Sequence, residues 1–183
     1  IVEDEDVSAL AITAIKNGED DYTSAKLTTQ DLFSMRFGRV ELKAKMPEGQ
    51  GIWPAIWMLG DNRSEVDWPG CGEIDIMEML GNEPSKMYST LHYTNSENRK
   101  GEDQGMKQAS GANFSESYHI YSLDWTPESL SFALDGEQFH EVEIDAGMKE
   151  FERSFYLILN VAVGGFWSGN PDETTTFPQS MLV

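Results

Sequence analysis

Three carboxylic acids stand close together in Cys71-Gly72-Glu73-Ile74-Asp75-Ile76-Met77-Glu78. Side chains alternate along a β-strand, so Glu73 and Asp75 share one face while Ile74 and Ile76 take the other. Glu78 is out of phase. Regular alternation sends it into the core with the isoleucines, where an unpaired carboxylate costs several kcal/mol. A one-residue β-bulge near Met77 resets the phase and returns Glu78 to the side of Glu73 and Asp75, and bulges concentrate beside active sites. Five strand steps span ~16 Å, which the bulge shortens to roughly 13 Å. Two glutamate side chains reaching about 4 Å each, inclined together, leave on the order of 5 Å between carboxyls. At that separation one carboxylate can attack an anomeric carbon while the other, protonated, serves the leaving oxygen; an inverting pair needs ~6.5–9.5 Å, to admit a water. Asp75, between the glutamates, can share a proton with a neighbour. Three close acids cannot all ionise cheaply, so at least one pKa must rise, as a general acid at neutral pH requires. Two plainer readings stay open: an acidic strand face on an acidic chain, and a Ca²⁺ site.

The chain that must position these acids has 183 residues, enough for one domain with a sizeable core. Its 32 acidic residues outnumber 13 basic ones, giving a net charge of -19. Such a field repels nucleic acids and anionic membrane surfaces and leaves a neutral ligand such as a sugar unpenalised. No 18-residue apolar run offers a membrane span. The N-terminus, Ile1-Val2-Glu3-Asp4-Glu5-Asp6, carries acids where a signal peptide carries bases. Cys71 is the single cysteine, so no disulfide closes within the chain, and a packed small residue is the expectation for it.

Short period-two stretches separated by turn residues about every ten positions predict an all-β sandwich or barrel. Strands are expected over Phe37–Met46, Ile52–Leu59, Gly72–Leu80, Met87–Tyr93, His119–Trp125, Leu130–Leu134, Gln138–Ile144 and Phe155–Val163. The last is apolar nearly throughout, as a strand covered on both faces should be. The polar stretch from Thr94 to Phe114 reads as a long surface loop. Asp145 to Arg153 reads as a turn or two of helix.

Wider motifs surround the acidic strand. Gly51-Ile52-Trp53-Pro54-Ala55-Ile56-Trp57-Met58-Leu59 precedes Trp68-Pro69-Gly70-Cys71-Gly72-Glu73. Leu91-His92-Tyr93, Asp124-Trp125-Thr126-Pro127 and Leu159-Asn160-Val161-Ala162-Val163-Gly164-Gly165 follow. In this order and spacing, from about Thr23 to Gly165, they resemble glycoside hydrolase family 16, and most closely its bacterial laminarinase branch. The resemblance implies a concanavalin A-like β-jelly roll of two curved antiparallel sheets, with a glucan in a concave cleft. It implies Glu73 as nucleophile, Glu78 as acid/base and Asp75 as the residue that orients or shares a proton with the nucleophile. The bulged motif is similar to members that cut β-1,3-glucans, agars and carrageenans; unbulged members include lichenases and plant xyloglucan enzymes. Family members also begin some tens of residues earlier and end with another strand, so residues 1–183 are expected to be one catalytic domain, incomplete at both ends.

Sugar rings stack their C–H faces on aromatic rings, which makes tryptophans candidate binding residues. Trp53, Trp68 and Trp125 are expected in the cleft, with Trp57 beside them; the alternative for each is a place in the core. Trp167 lies in a glycine-rich turn. Arg39, on the polar side of its strand, is a candidate for hydrogen bonds to sugar hydroxyls. His92 fits a sugar contact or a partner of Glu78, while His119 and His140 are expected to be structural or exposed. No His-x-x-x-His pair, phosphate loop or dinucleotide fingerprint occurs. The expectation is a secreted, periplasmic or cell-surface monomer that cuts β-1,3-glucan internally with retention, with β-1,3-1,4-glucan as a second substrate. It needs no organic cofactor; a structural Ca²⁺ has no ligands that can be placed. Two rivals are a hydrolase of agar or carrageenan and a non-catalytic β-glucan-binding protein on the same fold. The Trp68-Pro69-Gly70-Cys71-Gly72 run favours glucan over galactan, and the presence of both Glu73 and Glu78 favours a hydrolase.

Overall fold

Apolar residues on both faces of a segment require cover on both sides, and two segments of this chain have that character. A computed structural model describes residues 1–4, 7–95, 97, 99–108 and 113–183 and places both segments inside one sheet. In chain order the strands are β1 (Val2–Asp4), β2 (Val7–Ala9), β3 (Ala11–Lys16), β4 (Tyr22–Thr23), β5 (Lys26–Thr28), β6 (Gly38–Ala44) and β7 (Ile52–Gly60). Then come β8 (Glu73–Glu78), β9 (Lys86–Thr94), β10 (Lys100–Gln108), β11 (His119–Trp125), β12 (Ser129–Leu134), β13 (Glu137–Glu143), β14 (Phe155–Val163) and β15 (Gln179–Leu182). One antiparallel sheet has the order β10-β9-β8-β7-β14-β5, with the apolar strands β7 and β14 side by side. The other has the order β13-β12-β11-β6. Beyond β6, Lys45 exchanges backbone hydrogen bonds of 2.9 and 3.0 Å with Leu182, which links β15, β3 and β4 to that sheet.

The layers close over a shared core. Ile56, Ile74, Leu91 and Phe155 from the six-stranded sheet meet Tyr121, Leu123, Trp125 and Phe132 from the other, all fully buried. This is the sandwich that the strand rhythm predicted, in the two-layer antiparallel jelly-roll form that the family resemblance implied. The opposite face of β7 and β14 is covered at one end as well. Leu59, Tyr156 and Ile158 form a smaller cluster there with Cys71, which is fully buried as a packed small residue.

The expected strands form with boundaries shifted by a residue or two, and His119–Trp125 and Phe155–Val163 keep theirs. Lys149–Glu152 makes a turn of 3₁₀ helix within the expected helical stretch. The Thr94–Phe114 loop needs correction: Lys100–Gln108 is a strand, paired with β9 over its whole length. Its inward positions include Gly101 and Gly105 in place of large apolar residues, so hydropathy shows no alternation. Both glycines are required by close approach. A Cβ on Gly101 would lie 2.5 Å from the Tyr93 ring, and one on Gly105 would lie 2.4 Å from His140. Residues 96, 98 and 109–112 of that stretch lie outside the described residues. The strands β1, β2, β4, β5 and β15, of two to four residues, are too short to give a periodic signal, and the six-residue β3 was not expected from the sequence.

Candidate active site

The acidic strand lies mid-sheet, between β7 and β9. On the β9 side, Asp75 faces Thr90 and Glu78 faces Tyr88, so three steps on β8 match two on β9. On the β7 side, Met77 faces Ile56 and Asp75 faces Trp57, leaving Ile76 as the extra residue. This is a bulge at the place the alternation argument required. Ile74, Ile76 and Met77 all go into the core, and Glu73, Asp75 and Glu78 emerge together on the other face.

Register across the sheet builds the site row by row. Glu73 stands beside Leu59 on β7 and His92 on β9, with Glu102 of β10 next in line. Asp75 stands between Trp57 and Thr90, with Gln104 beyond. Glu78 stands between Ala55 and Tyr88. Above these rows is a cleft of about 740 Å³, walled by Trp53, Trp57, Trp68 and Trp167.

Each acid is held in place. Trp53 Nε1 donates to Glu78 Oε1 at 3.0 Å, and Trp57 Nε1 donates to Asn160 Oδ1 at 2.7 Å. His92 Nε2 lies 3.2 Å from Asp75 Oδ2 and 3.7 Å from Glu73 Oε1. The other nitrogen of the ring, Nδ1, is 3.3 Å from Glu102 Oε2, which in turn pairs with Lys100 Nζ at 2.7 Å. Trp68 tilts over His92 with ring centroids 5.6 Å apart, and Lys100 Nζ sits 5.0 Å from the Trp68 ring centre.

Burial sets the proton inventory. Glu78 is pushed up to about 8, first by desolvation and then by the charges of Asp75 and Glu73. Asp75, only 3% exposed, is raised well above its usual range by desolvation and the neighbouring Glu73 and Glu102. Desolvation raises Glu73 too, but the charge of His92, a hydrogen bond from Trp68 and the charge of Lys100 pull it back. His92 is lowered by burial and so stays neutral more readily. Glu73, at one end of the row, is thus the acid whose charge has positive and hydrogen-bonding neighbours to offset its burial, while the charges beside Asp75 and Glu78 add to theirs. Glu73, Asp75 and His92 each offer a donor atom within 4.8 Å of the others, which makes them the described residues able to hold a cation. A protonated Asp75 is a poor ligand for one.

The other expected site residues divide. Trp53, Trp57, Trp68 and His92 line the cleft. Arg39 does not: it lies on β6 of the opposite sheet, where it pairs with Glu41 at 2.7 Å and with Asp124. With these two charged neighbours on β6 and β11 it makes a solvated surface network. Trp125 also moves out of the cleft. It is 1% exposed between the sheets, edge-on to Phe37 and Phe155 at 5.5 and 5.4 Å. Alternation on β11 turns it to the core, and a tryptophan's type alone does not tell core from cleft. His119 pairs with Asp135 at 2.7 Å and His140 with Ser89 at 2.7 Å, both away from the cleft. Sequence reasoning missed Glu102, Gln104, Tyr88 and Phe166. The first two sit on the strand taken for a loop, and Tyr88 could have been found as an even-numbered neighbour of His92 on one strand face.

Known proteins give the comparison. The sequence profile of glycosyl hydrolases family 16 matches residues 2–181. The chain is 35% identical to a beta-glucanase of Rhodothermus marinus, over 89% of this chain and 60% of that protein. It is 36% identical to a beta-1,3-glucan-binding protein of Penaeus monodon, over 87% of this chain and 51% of that one. The chain thus spans little more than half the length of these curated relatives. Among solved structures, the laminarinase catalytic domain of Thermotoga maritima superposes with a TM-score of 0.86 at 42% identity, covering 95% of this chain and 74% of that one.

Proposed function

Since the chain belongs to glycosyl hydrolases family 16, we propose that it cleaves β-1,3-glucan internally and with retention of configuration. The observation that carries this reading is the bulged row of Glu73, Asp75 and Glu78, in which His92, Trp68 and Lys100 offset the burial of one glutamate while its partner keeps a proton up to about pH 8. Glu73 attacks the anomeric carbon as its carboxylate while Glu78 passes its proton to the departing glycosidic oxygen. Glu78, now ionised, takes a proton from the water that releases the sugar from Glu73, and configuration is restored. Asp75, whose Oδ2 lies 3.2 Å from His92 Nε2, keeps a proton, leaving Glu73 free to carry the negative charge. Trp53 holds Glu78, and Trp57 and Trp68 offer faces for sugar rings.

Carboxylates and water supply every proton and bond in this scheme, so no organic cofactor enters. A polymer substrate places the protein outside the cytoplasm or on the cell surface, and a monomer suffices because one chain carries the whole acidic row. The -19 charge counts against a sulfated galactan. Intact Glu73 and Glu78 count against a purely binding role. Mixed-linkage β-1,3-1,4-glucan remains a second substrate of the same cleft. Proton NMR of laminarin during digestion tests the reading: β-anomer reducing ends should accumulate first, before mutarotation. Early α-anomer would assign inversion, and cleavage of agarose or carrageenan alone would replace the substrate.

A further inference from the structure

One ring of the cleft's aromatic wall stands almost wholly in water. After β14 the chain turns through Gly164 (φ 75°) and Gly165 (φ 145°) into Phe166-Trp167-Ser168-Gly169. Such positive φ angles suit glycine and strain other residues. Both limbs of the turn are tied down. Gly164 N–H donates to Gly51 O at 2.7 Å, and Gln50 Nε2 donates to Ser168 O at 2.8 Å. Trp167 packs edge-on against Trp53 and Tyr88, with centroids 5.3 and 5.2 Å apart. Phe166 projects instead. At 97% exposure it is the most exposed large apolar side chain among the described residues, yet it lines the cleft with its ring centre 6.0 Å from Trp53. An anchored turn thus holds a phenyl ring in water, forgoing the gain of burial, beside the indole that hydrogen-bonds Glu78.

We propose that Phe166 is a substrate-binding residue on the leaving-group side of the scissile bond, where it covers the C–H face of a neutral pyranose ring held next to Trp53. The side follows from the chemistry of Glu78, which protonates the leaving oxygen. A sugar adjoining Trp53 is at the Glu78 end of the row. The opposite end, around Glu73, carries Trp68, His92 and Lys100. A rigid ring with two side-chain torsions gives contact area at little entropic cost. This inference rests on the glucanase reading and deepens it.

The test compares wild type, Phe166→Ala and Phe166→Trp on laminarin and on β-laminaribiosyl fluoride, whose fluoride leaving group fills no sugar site. Phe166→Ala should raise the KM for laminarin about tenfold, or about 1.4 kcal/mol, with kcat changed less than twofold. Phe166→Trp should restore wild-type KM. Kinetics on the fluoride and the thermal midpoint should be unchanged in all three proteins. An unchanged laminarin KM in Phe166→Ala, or an equal loss on both substrates, overturns the assignment. If the wild type cuts agarose or carrageenan and not laminarin, the glucanase reading fails by itself, and the KM of Phe166→Ala on that polymer decides Phe166. A chain that acts on none of these polymers overturns both.

Discussion

Glu73 and Glu78 are the same amino acid on the same strand, and their surroundings give them different work. Desolvation raises both, but His92, Trp68 and Lys100 stabilise charge on Glu73, while Asp75 and Glu73 oppose it on Glu78. Glu73→Gln, which removes the nucleophile's charge and keeps its shape, should lower kcat by more than a thousandfold while leaving laminarin affinity within a few-fold, as read by calorimetric titration. Glu78 links this chemistry to stability. Its pKa rises in the folded chain to about 8, so the stability contributed by its protonated form is complete below the unfolded value, about 4.3, and is lost as pH climbs through 8. Glu78→Gln cannot ionise. It should be on the order of 1–4 kcal/mol more stable than wild type at pH 9 and nearly equal to it at pH 4, measured by urea unfolding. The same titration should make wild-type kcat/KM fall as pH rises through about 8. Trp125 makes the opposite point about residue type. Trp125→Ala should cost about 3–5 kcal/mol of stability, because it empties a core position. A normal unfolding midpoint with a raised KM would return it to the cleft.

Two strands decide whether these residues meet. In β8 the bulge lets six residues satisfy both a core and a cleft, with two consecutive side chains, Ile76 and Met77, buried on the same side. Deleting Met77 should restore regular alternation with Glu78 four residues after Glu73, so that all three acids stay on the cleft face without a bulge and hydrolysis persists in a chain that circular dichroism still reports as β-sheet; a folded deletion protein without activity would sink the bulge argument. β10 positions Glu102 and Gln104 at the cleft and leans on the second sheet through Gly105. Gly105→Val should destabilise the fold by about 2 kcal/mol or more, since its Cβ has no room beside His140. That strand was illegible because glycine and charged residues occupied both of its faces, and hydropathy finds a strand only where one face is apolar.

The whole molecule is a sandwich whose two sheets bury one core, with the chemistry on the outer face of the six-stranded sheet. Much of this was legible from local pattern. Period-two alternation or short apolar runs between turn residues marked β6, β7, β8, β9, β11, β12, β13 and β14, and the cost of burying Glu78 demanded a bulge where one occurs. The acidic triad was a property of the sequence for a physical reason: all three carboxylates lie on one strand, and strand geometry alone relates them. Trp53 and Trp57 followed from the same rule. Only the tertiary structure could decide what comes from different strands. It set His92 against Asp75, brought Glu102 and Lys100 in behind it, and raised Glu78 by surrounding it with protein. It also sent Arg39 to the far sheet, put Trp125 between the layers and left Phe166 in water at the cleft's edge. Those outcomes depend on strand order and on which face of a sheet meets the other, and a strand's own alternation divides its residues into two sets without saying which set is buried.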